Sequence, residues 1–261
     1  MFKLASFLLI FLPLFLSSCG IKEVIVANFD LILTKKIGDE FHLNSYQRDS
    51  LKKDIQSYLK NQKMLASSLL KQLEKHQIKN AVVSDDFIYL KGIYTEIAVS
   101  FSAILSKYLA QLNPYQLGKF KQNLQQRNQS LKISTLANTS PAKKRFGKFF
   151  GDLREDQINL IKGGSDIFNK ISQQRYDRRL SFQRDLLDLL GSNEPVHRKQ
   201  ELVHKLFTQY NLKLKFGHEQ KLAMGITQKI VSGLGSSQID YFSDKKNDIK
   251  DWIAIYIKYH E

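Results

Sequence analysis

Cys19 is the only cysteine of the 261-residue chain, and six histidines accompany it: His42, His76, His197, His204, His218 and His260. These are the side chains that could ligate a metal or attack a substrate. Their spacing favours neither. No His-x-x-x-His pair with an internal glutamate exists to seat zinc on one helix face. His197 and His204 stand seven apart and can share a face, but no third ligand lies near them in sequence. No Gly-x-Ser-x-Gly elbow presents a serine nucleophile. Gly163-Gly164 lacks the strand and lysine that a phosphate cradle needs. Ser84 is expected to cap a helix with Asp85-Asp86 in its first turn, where negative charge meets the positive end of the dipole. The expectation is a non-enzymatic chain with no catalytic residue, no metal and no cofactor.

The surroundings of Cys19 are more specific. Lys3 is followed by an almost wholly apolar run over residues 4–16, then by Ser17 and Ser18. Thirteen residues are too few to cross about 30 Å of hydrocarbon, which takes about 20. The run fits the apolar region of a secretory leader. Leu16-Ser17-Ser18-Cys19 resembles the bacterial lipobox. That resemblance implies cleavage before Cys19 and acylation of its thiol by chains such as palmitate. Each buried methylene stabilises by about 0.8 kcal/mol, so several chains together hold a protein firmly on a membrane. A lone cysteine in an exported protein needs an explanation, since it cannot form an internal disulfide, and lipidation supplies one. By analogy with lipoprotein sorting in enterobacteria, the resemblance, with Gly20 rather than aspartate after the cysteine, implies the outer membrane, facing the periplasm. The expected organisation is a leader over 1–18, a lipidated anchor with a first helix over 19–41, and an all-helical domain over 42–261.

The formal charge is +15. It is unevenly spread: no acid occurs between Glu96 and Asp152, a stretch holding Lys107, Lys119, Lys121, Arg127, Lys132, Lys143, Lys144, Arg145 and Lys148. A stretch of one sign attracts anionic partners. Lys119, Lys121, Arg127, Lys143, Lys144, Arg145 and Lys148 are the expected anionic-partner surface. Anionic lipid, glycan and envelope protein all suit it. Nucleic acid does not, because an exported chain rarely meets it and no recognition motif is present.

These residues must be positioned by helices. Gly (13) and Pro (4) are scarce, which disfavours turn-rich β-architectures. Apolar steps of three and four predict helices over 21–41, 45–77, 84–111, from Pro114, from Pro141, 153–190, 195–214, 218–231 and from Ser243. Phe87, Leu90, Tyr94, Ile97, Phe101, Ile104, Leu105 and Tyr108 form the most apolar stripe and the expected centre of the core. Gly163-Gly164 predicts a kink and Gly233 to Ser237 a flexible link. After the leader no run reads as a membrane span. The fold expected is an all-α bundle of about seven to nine helices.

One helix start recurs. Leu43-Asn44-Ser45-Tyr46-Gln47, Leu112-Asn113-Pro114-Tyr115-Gln116 and Leu153-Arg154-Glu155-Asp156-Gln157 share Leu-x-x-x-Gln, with a weaker fourth copy at Phe242-Ser243-Asp244-Lys245-Lys246. The second residue caps and the glutamine reaches back to the cap backbone. Such starts resemble the Leu-Thr-x-x-Gln motifs of Spy-like periplasmic chaperones. Together with Asn28-Phe29-Asp30-Leu31-Ile32-Leu33, residues 112–128 and 175–190, and the Phe242 start, they also resemble helical bacterial lipoproteins grouped as domain of unknown function 6279. Asn stands here where Thr is common, and the first helix lacks the usual Trp. The resemblance implies a helical envelope lipoprotein and no particular activity. The reading is an outer-membrane-anchored binding or scaffolding module. The alternatives are a chaperone-like binder and an enzyme acting on cell-wall glycan.

Overall fold

The computed structural model describes residues 19–136, 141–212 and 217–260. Among these residues the chain is all-helical, with no strand. The helices are α1 (Cys19–Ala27), α2 (Phe29–Glu40), α3 (Ser45–Asn61), α4 (Lys63–Lys75), α5 (Val83–Leu109), α6 (Pro114–Leu136), α7 (Pro141–Phe150), α8 (Glu155–Gly163), α9 (Ser165–Gly191), α10 (Val196–Leu212), α11 (His218–Ser232) and α12 (Ser236–Tyr259).

Twelve helices exceed the expected seven to nine, because three expected helices are each broken once. At Asn28 the side-chain amide donates to the Val24 carbonyl at 2.8 Å. A short polar side chain bonded to nearby backbone competes with the helical pattern. At Gln62 the N–H is shared between the Tyr58 and Leu59 carbonyls, both at 3.1 Å. At Gly164 the cause is packing: a Cβ there would lie 2.5 Å from Ile226 Cδ1 of α11. The expected kink at Gly163-Gly164 is thus a helix boundary.

The start of α5 is also set from outside. Ser84 does not cap it. Gln228 of α11 accepts from the Val83 N–H at 2.8 Å and donates to the Ala81 carbonyl at 3.2 Å. A distant side chain satisfies a helix-end donor that a local cap would otherwise serve. The last helix begins at Ser236 rather than Ser243, so Gly233 to Ser237 is a turn and a helix start, not a loose link.

Two apolar cores result. The first gathers Leu33, Ile37, Leu51, Ile55, Phe101, Leu105, Tyr108, Leu109, Phe182, Leu186, Val203 and Phe207 from α2, α3, α5, α9 and α10. The second gathers Ala142, Phe150, Ile161, Ile230 and Val231 from α7, α8 and α11. α9 runs between them, with Phe168 against the second core and Phe182 in the first. The apolar stripe of α5 is central only in its C-terminal half, for Phe87 and Leu90 are 41% and 49% exposed. Contrary to the sequence expectation, α5 is long and apolar enough to cross a membrane by length and composition. Within the structure it packs against α3, α10 and α11.

Candidate functional site

Residues 1–18 and the Cys19 side chain lie outside the described residues. Cys19 is the first residue of α1, and α1 is not a loose tether. Val26 is buried. Lys22 is buried too, and its ammonium reaches Asp248 at 2.5 Å and Asp251 at 3.4 Å on α12. Desolvation works against that charge, but the two carboxylates outweigh it and the Lys22 pKa is raised. At the other end the Tyr259 hydroxyl donates to the Ala27 carbonyl at 3.2 Å. α1 is therefore clasped along α12 and runs parallel to it.

The basic residues fall into two groups. Lys119 and Lys121 stand in the first half of α6, with Lys119 Nζ 5.8 Å from the Tyr115 ring. Arg127 is engaged by Glu40 in an ion pair. Burial pushes the Glu40 carboxyl up, and Arg127 only partly offsets it. Lys143, Lys144, Arg145 and Lys148 are all exposed on α7. Lys121 lies roughly 22 Å along α6 from that helix's end. α7 is joined by α9. Desolvation lowers the Arg175 pKa although the residue keeps an exposed surface, and the charges of Arg145 and Arg178 lower it further. Arg178 stacks over the Tyr210 ring at 4.8 Å. Sequence reasoning did not connect Arg175 and Arg178 to α7, because about 30 residues separate them.

The repeated helix starts meet in pairs. In the first pair, Gln47 Oε1 accepts from the Asn44 N–H at 3.1 Å and Gln116 Oε1 from the Asn113 N–H at 3.1 Å. Gln116 Nε2 then donates to Gln47 Oε1 at 2.7 Å and to the His42 carbonyl at 2.9 Å. In the second pair, Gln157 Oε1 accepts from the Arg154 N–H at 3.0 Å and Gln238 Oε1 from the Gly235 N–H at 3.2 Å. Gln238 Nε2 donates to Gln157 Oε1 at 2.8 Å and to the Asp152 carbonyl at 2.9 Å. The second pair repeats the first in its backbone contacts and adds a reciprocal bond, Gln157 Nε2 donating to Gln238 Oε1 at 3.1 Å. The fourth copy is therefore Leu234-Gly235-Ser236-Ser237-Gln238, not the Phe242 start. A left-handed residue precedes each pair: His42 at φ 49° and Gly151 at φ 70°. A Cβ on Gly151 would also press within 3.3 Å of the Tyr241 ring.

Two further polar pairs involve histidine. Ser102, fully buried, pairs with His204 Nδ1 at 2.8 Å between α5 and α10. His76 Nε2 meets Asp86 at 2.9 Å beside an open hollow of about 300 Å³ that Asp85 also lines. Among the described residues no group of three or more His, Cys, Asp or Glu could hold a metal ion. No protein-family model, curated protein or solved structure matches the chain.

Proposed function

We propose that this chain is a lipid-anchored envelope protein, acylated on Cys19 and held on the outer membrane, that acts as a non-enzymatic binding or scaffolding module through its basic surface. The observation that carries this reading is Leu16-Ser17-Ser18-Cys19 after an apolar leader, with Cys19 opening a helix docked on the body. The absence of acid from Glu96 to Asp152 supports an anionic partner among lipid, glycan or envelope protein. The polar clusters support a non-catalytic role, since the glutamine clasps and Ser102–His204 are spent inside the fold.

The test is mass spectrometry of the protein recovered from bacterial membranes. Acylation of the Cys19 amino-terminal peptide is expected, with loss of processing in Cys19→Ala. An unmodified Cys19 on a membrane-bound chain would refute the anchor. In-cell crosslinking of the same material then identifies what the module holds.

One observation favours a second reading. Val82, Phe87, Ile88 and Leu90 are exposed near the start of α5. Exposed apolar groups in one place suit chaperone-like binding of unfolded exported chains. Suppression of aggregation by the purified protein, abolished by Phe87→Ser with Leu90→Ser, would separate this reading from the first.

A further inference from the structure

α7 is amphipathic in an unusual way. Ala142, Phe146 and Phe150, four residues apart, turn toward the second core. Lys143, Lys144, Arg145 and Lys148 occupy the rest of the helix, with no acid among its ten residues. Phe149 stands among them, 46% exposed. A phenyl ring flanked by cations gains nothing from water, but it matches a helix lying in a headgroup layer, ring toward the acyl chains and cations on phosphates.

The anchor lies beside this helix. α1 and α12 run parallel, and Lys22 meets α12 at Asp248 and Asp251. Cys19 is three residues earlier, about 4.5 Å back along the axis. α7 ends on α12 one step further back, where Phe150 stacks on Phe242 at 5.9 Å and Gly151 lies against Tyr241. Tyr241 and Asp248 are seven residues apart, so they share one face of α12 about 10 Å apart along the axis. Along the α12 axis the start of α1 therefore falls between the Asp248 level and the end of α7. An acyl chain on Cys19, or the apolar residues 4–16 if they stay attached, brings the bilayer to α7.

We propose that α7 is a second membrane contact: it rests on anionic phospholipid, with Phe149 at the headgroup–acyl boundary and Lys144, Arg145 and Lys148 on lipid phosphates. This rests on the membrane attachment of the reading above and adds the surface that faces the bilayer. One lipid signal joined to a basic patch is the usual route to firm, oriented attachment. Arg175 and Arg178 extend the positive field behind α7. The acids that follow α7 are Asp152, Glu155 and Asp156, and Asp156 is neutralised by Arg154 at 2.9 Å.

The experiment is vesicle co-sedimentation of the chain from residue 19 carrying Cys19→Ser, which changes no residue of α7 or α12 and has no acyl chain. Binding is expected to vesicles of phosphatidylethanolamine with one-quarter phosphatidylglycerol and not to phosphatidylcholine vesicles. Replacing Lys143, Lys144, Arg145 and Lys148 by Gln should weaken it about tenfold or more, because each cation near an anionic surface contributes separately. These positions are exposed, so circular dichroism and the Tm of the variant should match the parent. Phe149→Trp should be quenched by brominated acyl chains while buried Trp252 is not. Unchanged binding of the four-fold variant, or an unquenched Trp at 149, would overturn the proposal. So would equal binding to heparin that is indifferent to Phe149→Ser, which marks a general polyanion surface. Acylation of Cys19 is read separately by mass, so the two readings fail independently.

Discussion

Gln157 and Gln238, 81 residues apart, exchange two amide hydrogen bonds at 3.1 and 2.8 Å. Both are buried. Each glutamine also closes the first turn of its own helix, so the pair locks the start of α8 to the start of α12. Gln47 and Gln116 do the same for α3 and α6, with Gln47 left half-exposed.

The buried pair is therefore the more costly one to break. Gln238→Leu leaves the Gln157 Nε2–H and the Gly235 N–H without their partner and frees the Asp152 carbonyl, and each unsatisfied buried group costs about 1–3 kcal/mol. A loss of about 3 kcal/mol is expected, against about 1 kcal/mol for Gln47→Ala. In urea titrations the double variant Gln157→Leu/Gln238→Leu should lose less than the sum of the singles. Strict additivity would mean that the two amides do not act as a unit.

Lys22 decides whether α1 stays docked. Lys22→Gln removes the cation but leaves Asp248 and Asp251 beside one another. Amide exchange over residues 22–27 should accelerate about tenfold while α9 and α10 keep their protection. The raised Lys22 pKa sets the pH sense. Its contribution is present below the ordinary lysine value and is lost as pH rises through the folded one. Exchange from α1 that is equally protected in parent and variant at every pH would show that the ion pair holds nothing.

Glu40 carries a cost at neutral pH. Burial raises its pKa, and the Arg127 charge does not fully compensate. The folded state holds the Glu40 proton more tightly than the unfolded chain does. Its contribution thus favours folding at acid pH and is lost as pH rises through the folded pKa. Glu40→Gln should raise the Tm at pH 8, and this advantage should shrink toward pH 4. A Tm that falls at pH 8 would show that the pair with Arg127 outweighs burial.

The adjacent glycines should respond oppositely. A Cβ at Gly163 meets nothing within 4 Å, whereas one at Gly164 collides with Ile226. Gly163→Ala should stabilise by about 0.5–1 kcal/mol through helix propensity. Gly164→Ala should destabilise by about 1–3 kcal/mol through overpacking, and Ile226→Ala should relieve part of that. Thermal melts of the four proteins check both signs.

Much of the helical layout can be read from the chain itself. The stripe Leu51, Ile55, Tyr58 and Leu59 of α3 is buried as its spacing requires. The Asn44–Gln47 capping box forms as its residue types require. Both depend on atoms within a few residues of each other, where periodicity and cap chemistry act. The expected extent of the α5 core failed at Phe87 and Leu90, because an apolar stripe records what a helix can bury and not how far its partners reach.

The chain by itself determined an all-helical protein and helices that begin with Leu-x-x-x-Gln. Tertiary structure decided which glutamines meet, that Gln228 rather than Ser84 closes α5, that Gly164 is a boundary, and that α1 begins and α7 ends against α12. Each of these is a contact between residues far apart in sequence, from 62 between Gly164 and Ile226 to 229 between Lys22 and Asp251. Such contacts depend on how helices pack, and local propensity carries no record of a partner that distant.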